Sequence, residues 1–254
     1  MNQPSSNSSR RVAVITGASR GIGLATARAF AARGYDLVLN AREAAALDRA
    51  ASALRSDASG RRVEAVAGDT TDPAVREALV GRARDLGDRI DALVNNAGHF
   101  VSRPFEETSP QDLRRLLEVH VEATFALTQA ALPLLRRARG AVVNVTTILT
   151  TRGLARVPTA AQAAAKGAVE ALTRNLAHEL GRYGVRVTAV APGTVRTAIF
   201  GLTDEQLDAL GPMQPLGRVG EPEEVADAIV HLASAPFTTG VVLPVDGGAL
   251  LGTR

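Results

Sequence analysis

Seven short apolar runs recur along this chain, at residues 12–16, 36–40, 62–67, 92–95, 141–146, 186–191 and 241–245. Longer helix-period stretches separate them, at 21–33, 44–56, 73–86, 109–131, 159–180 and 222–233. Strand and helix patterns that alternate this way require crossover connections. Those connections place the strands parallel in one sheet and the helices on both of its faces. The expected fold is therefore α/β, a doubly wound parallel sheet of about seven strands in a three-layer α/β/α arrangement. Two helix starts carry their own signal: Asp72 precedes Pro73 and Ser109 precedes Pro110, a capping side chain just before proline at the first helical position.

No repeat or linker breaks the pattern, so residues 11–254 read as a single domain. Residues 1–10 (MNQPSSNSSR) are polar and read as a disordered tail, with no apolar stretch of a signal peptide. Apolar residues make up 46% of the chain but aromatic ones only 3%, so the core has to be built from Ala, Val, Leu and Ile. The absence of cysteine excludes disulfides, a thiolate nucleophile and cysteine metal sites. No run approaches the ~18 apolar residues of a membrane span, and a cytoplasmic protein is expected. Net charge is only +3 and the arginines lie scattered among acids, which argues against a nucleic-acid groove.

The first apolar run leads into Thr16, Gly17, Ala18, Ser19, Arg20, Gly21, Ile22 and Gly23, and a helix follows at once. Glycines at 17, 21 and 23 let the backbone turn tightly and approach a pyrophosphate, while the new helix directs free N–H groups at its charge. A strand before the loop and a helix after it raise this above a simple packing turn and point to a Rossmann-type dinucleotide site. The second run ends at Asn40, Ala41 and Arg42. A carboxylate there would favour the unphosphorylated ribose, but 40 and 41 carry none, and Arg20 and Arg42 could flank a 2′-phosphate. NADPH is accordingly expected over NADH, although Arg42 reads equally as a solvated residue opening a helix.

With these motifs the chain resembles the classical short-chain dehydrogenase/reductase family, from Arg11 to Gly252. Thr16 to Gly23 match the family's TGxxxGIG loop, and Asp69 with Thr70 follows the third strand where the family contacts adenine. Asn95, Asn96, Ala97 and Gly98 match its NNAG segment. Pro192 and Gly193 match its PG turn, and Thr197 matches the threonine that holds the nicotinamide carboxamide. PLGRVGEPEE at 215–224 and Val245-Asp246-Gly247-Gly248 match its C-terminal signature.

The resemblance also implies an Asn–Ser–Tyr–Lys catalytic set, of which one member is unchanged. Lys166, the only lysine in the chain, matches the family lysine that binds the nicotinamide ribose. Thr147 stands for the serine, His120 for the asparagine, and Gln162 for the tyrosine in Gln-Ala-Ala-Ala-Lys. The two tyrosines present, Tyr35 and Tyr183, precede strands and fit no catalytic register. Gln162 and Lys166 share a helical face, so Gln162 can donate a hydrogen bond, but its amide is no usable acid. Losing a positioned acid costs about 10²–10⁴ in rate. His120 and His99 are the replacement donors available, with His120 favoured. An equal alternative is that both only fill polar space. His178 and His231 read as surface residues.

Three functions fit. The leading one is an NADPH-dependent reductase of a ketone, enone or imine. The others are a non-redox enzyme (cyclase, isomerase or dehydratase) that keeps the nucleotide, and an inactive NADPH-binding protein. Residues 194–213, with Ile199, Phe200, Leu202, Leu207, Leu210 and Met213, suggest an apolar wall for a small-molecule substrate. A homotetramer or dimer is implied by analogy with the family alone. No metal site is expected.

Overall fold

The computed structural model describes residues 10–57, 60–153 and 157–252, so all of the expected tail except Arg10 lies outside the described residues. The seven strands are β1 (Val12–Ile15), β2 (Asp36–Ala41), β3 (Val63–Ala67), β4 (Ala92–Asn95), β5 (Ala141–Val145), β6 (Arg186–Pro192) and β7 (Val242–Val245). They form one parallel sheet in the order β3-β2-β1-β4-β5-β6-β7. Each lies within a residue of its expected boundary. Four of the central strands are buried along their whole length, as a sheet covered on both faces demands.

Period-two alternation divides the strands, β7 excepted, between two cores. Ala13 and Ile15 of β1 and Leu37 and Leu39 of β2 face one layer, which holds α1 (Gly21–Ala32), α2 (Ala44–Asp57) and α8 (Pro222–Ser234) through Phe30, Leu47 and Ile229. Val12, Val14 and Val38 face the other layer, which holds α3 (Pro73–Gly87), α5 (Ala123–Ala138) and α6 (Ala160–Gly181) through Leu79, Leu127 and Leu180. The expected caps are present. Asp72 accepts from the Ala74 N–H at 2.9 Å, and Ser109 forms a reciprocal capping box with Asp112 at the start of α4 (Pro110–Leu117).

One helical stretch departs from expectation. The segment expected at 109–131 is α4, a π turn over Glu118–Glu122, and then α5, which runs on to Ala138 through Pro133. Proline removes the hydrogen bond to the carbonyl four residues back. Here that carbonyl belongs to Gln129, and Gln129 and Pro133 are both exposed, where water satisfies the group. Leu134 and Leu135 meanwhile bury completely and hold the last turn to the core. No helix among the described residues is long and apolar enough to cross a membrane.

Candidate active site

Strand order reverses between β1 and β4, so the loops leaving these two strands diverge and open a crevice at the carboxyl edge of the sheet. A cleft of about 590 Å³ lies there. Its walls are the glycine loop, Asn40 to Glu43, Gly68 to Thr70, Asn96 to His99 and Thr197 to Ile199. Of the expected nucleotide residues, Gly17, Ser19, Arg20, Gly21, Ile22, Gly23, Asn40, Arg42, Asp69, Thr70, Asn96, Ala97, Gly98 and Thr197 line it. Arg49, on α2, lines it too and was not foreseen.

The loop is held open by backbone geometry. A Cβ on Gly23 would lie 2.1 Å from the Gly17 carbonyl oxygen and 2.6 Å from the Asn96 amide nitrogen. Asn96 is itself the tie between the two loops, since its side chain donates to the carbonyls of Thr16 (2.9 Å) and Gly17 (3.2 Å). The Thr16 hydroxyl accepts from the N–H groups of Asn96 and Ala97 at 3.0 and 2.9 Å. Helix α1 starts without a side-chain cap and with no acid in its first turn. Its positive end is therefore not neutralised by an acid of its own first turn.

Four expected contacts take a different form. Thr16, Lys166, Pro192 and Gly193 do not line the cleft. The Thr16 side chain is buried in the tie just described, and Pro192 ends β6, paired with Val245. Gly193 lies where a Cβ would come within 2.9 Å of Asp246, so it serves close packing. Asn40 reaches the cleft, but its amide donates to the carbonyls of Val66 and Gly68, both at 3.0 Å, which fixes the loop after β3. Asp69 accepts from the N–H and hydroxyl of Thr71, each at 3.0 Å.

The catalytic-set residues are not among those lining the cleft, and all but Thr147 are buried. Gln162, Lys166 and Glu170 form one buried row on α6 at four-residue spacing. The Lys166 ammonium donates to the Val145 carbonyl at 2.6 Å, and burial draws its pKa down to about 8. Thr147 accepts from the Leu149 N–H at 3.3 Å and keeps its own hydroxyl proton available. The Gln162 side-chain oxygen is buried without a partner. α6 is registered against the sheet by a polar chain: Asn95 donates to Asn144 at 2.9 Å, and Asn144 donates to Thr173 at 2.9 Å. Tyr35 packs in the core edge-on to Phe30, and Tyr183 lies between Arg136 and Arg182, so neither belongs to this row.

His120 sits in the π turn, 2% exposed, with its Nε2 3.1 Å from the His99 carbonyl oxygen. A carbonyl only accepts, so Nε2 carries the proton and Nδ1 is a bare lone pair, buried and unpartnered. Burial first, and then the Lys166 charge, push the imidazole pKa down to about 2. That arrangement speaks against His120 as the proton source: the ring is neutral and its one N–H points to the His99 carbonyl. Gly98 makes room for it, since a Cβ there would fall 2.4 Å from the imidazole Cε1. The His99 ring lies over His120 with centroids 5.6 Å apart.

The expected apolar wall is partly present. Ile199 and Leu202 are exposed, and Phe200 meets Phe100 edge-on at 5.0 Å. Leu207 is buried instead, because it turns inward from the short helix α7 (Asp204–Asp208). Sequence reading missed the anchor of this segment. Arg196 bonds Glu221 at 3.0 Å, Asp204 at 3.2 Å and Asp208 at 2.5 Å, tying α7 to the start of α8. Among the described residues, no group of three or more His, Cys, Asp or Glu could hold a metal ion. His178 and His231 are exposed, as expected.

A family model described as enoyl-(acyl carrier protein) reductase matches residues 17–249. The chain belongs to the short-chain dehydrogenase/reductase family. It is 41% identical to the L-fucose dehydrogenase of Oryctolagus cuniculus over 96% of this chain and 86% of that protein. It is 40% identical to the gluconate 5-dehydrogenase of Gluconobacter oxydans, over 93% of each. Among solved structures it resembles the L-sorbose reductase of Gluconobacter frateurii, complexed with NADPH and L-sorbose. That match has a TM-score of 0.87 and 30% identity, and covers 95% of this chain and 97% of the other. Short-chain dehydrogenase/reductase membership makes this protein an oxidoreductase by kinship, with a nicotinamide dinucleotide as the group its cleft fits.

Proposed function

We propose that the protein is an NADPH-dependent reductase of a ketone, conjugated enone or imine, with a proton path that uses no tyrosine. The observation that carries this reading is the continuity of the cleft. It runs from the arginines beside Asn40, past the uncapped start of α1, to Gly98, His99 and Thr197, and the charge of the buried Lys166 acts on His99. When bound, a reduced dinucleotide would supply the hydride. The chain's own residues would bind it, exclude water and manage the proton.

Support for the 2′-phosphate comes from charge. Arg20, Arg42 and Arg49 all line the cleft, against the two carboxylates Glu43 and Asp69. A guanidinium fork suits a phosphate well. The L-sorbose reductase structure, with its bound NADPH, agrees with that choice. Gln162, buried at the place the family gives to tyrosine, can orient a substrate oxygen through its amide without yielding a proton. Phe100, Phe200 and Ile199 favour a substrate with an apolar face. Self-association through the α5 and α6 surfaces, where Phe125 is exposed, belongs to the same proposal.

The test is consumption of NADPH absorbance across a panel of ketones, enones and imines. Turnover of at least one class supports the reading. Tight NADPH binding with no turnover, alongside product formation from a non-reducible substrate, would replace it with the non-redox one.

A further inference from the structure

We infer that His99 is the group that exchanges a proton with the substrate oxygen, an assignment that rests on the redox reading above. His99 lines the cleft together with Gly98, Val119, Thr197 and Ile199. Its backbone carbonyl is spent on His120, but its ring makes no hydrogen bond among the described residues. Stacking on His120, with the ring planes 23° apart, holds the imidazole by its face and leaves both edge nitrogens free.

The neighbouring groups exclude themselves. Gln162 has an amide, which is no acid at accessible pH. The Lys166 ammonium is buried against the Val145 carbonyl. His120 has committed its N–H, and the Thr147 hydroxyl is too weak an acid to act alone. His99 alone among them is a titratable ring open to the cleft.

The charges around His99 set its resting state. Arg115 on α4, Arg42 after β2 and Lys166 on α6 oppose its protonation, Asp69 after β3 favours it, and the His120 ring beside it is neutral. With partial burial as the largest cause, its pKa lies below the ordinary 6.5. Reduction adds a hydride to the carbonyl carbon and a proton to its oxygen. The hydride and its electron pair come from the dihydronicotinamide, the C=O π bond breaks, and the imidazolium supplies the proton and becomes imidazole. Bulk water restores that proton through the open mouth of the cleft. In the reverse direction the neutral ring takes the proton from the alcohol.

The two directions should therefore show mirrored pH dependence. Reduction rises as pH falls through the His99 pKa, oxidation rises as pH increases through it, and both limbs sit below 6.5. His99→Gln and His99→Asn should each lower turnover by about 100-fold or more and flatten both limbs, with NADPH affinity unchanged. Added imidazole should partly rescue His99→Ala, and His178→Asn should behave as wild type. In the free protein, the His99 ring resonance, assigned by its loss in His99→Gln, should titrate below the ordinary histidine value. The assignment is overturned if these variants keep the wild-type rate and profile, or if the limb turns near the Lys166 value of about 8 instead. Wild-type protein that binds NADPH but turns over nothing would bring down the redox reading itself, whereas turnover that survives His99→Gln removes only this inference.

Discussion

The cleft has two ends built by different means. Around β1, β2 and β3 the walls are mostly backbone: glycines with no room for a Cβ, an uncapped helix start, and side chains such as Asn40 and Asp69 that bond to neighbouring loop groups. Around β4, β5 and α6 the site is made of side chains: His99 on the cleft wall, and His120, Thr147, Gln162 and Lys166 near it but off the cleft lining. The first end tolerates almost no change, because a substitution alters the path of the chain. The second can exchange a phenol for an amide and leave the sheet and helices in place. A site can thus keep its cofactor geometry while its proton chemistry is rebuilt.

The largest effect should come from breaking the backbone end. Gly23→Ala places a methyl group inside contact distance of the Gly17 carbonyl and Asn96, and overpacking of this kind costs about 3 kcal/mol. NADPH affinity measured by fluorescence titration should fall about 100-fold. Unchanged affinity would mean that the loop yields easily and that the contrast between the two ends is false.

A change at the side-chain end should instead appear in pH dependence. His120 is held neutral in the folded state with a pKa of about 2, while the unfolded chain protonates it near 6.5. Between those values the unfolded state binds more protons, so the His120 contribution is fully present above pH 6.5 and is lost as pH falls. The slope approaches about 1.4 kcal/mol per pH unit, or roughly 2 kcal/mol between pH 6.5 and 5. Denaturant unfolding across that range should show the loss in wild type and a shallower one in His120→Asn. Equal slopes would contradict the buried neutral ring.

The smallest effect separates the two nicotinamide dinucleotides. Arg42→Ala should weaken NADPH by about tenfold, as expected for losing a charge-assisted phosphate contact, and should leave NADH binding unchanged. Arg20→Ala should act in the same direction. Equal weakening of both dinucleotides would place these arginines away from the 2′-phosphate.

The same division explains what the sequence disclosed. Strand runs, the glycine loop and the Asp72 and Ser109 caps are local chemistry, and each was legible from neighbouring residues. The run of α5 past 131 through Pro133 could not be read from the sequence, because the cost of that proline depends on whether the Gln129 carbonyl faces water, which only the packed structure decides. The π turn that carries His120 left no pattern in the periodicity. The protonation of His120 was illegible because it follows from burial and from a carbonyl 21 positions earlier in the chain. Arg196 gathers acids from positions 204, 208 and 221, a cluster that no spacing rule reveals. Lys166 and Gln162 were found through the resemblance to the family motif, and their four-residue spacing put them on one face of α6.

Titration of the purified protein with NADPH and NADH, followed by nicotinamide fluorescence, tests the central claim most directly. The account predicts saturable binding of both, with NADPH the tighter ligand. Failure of either dinucleotide to bind would contradict it.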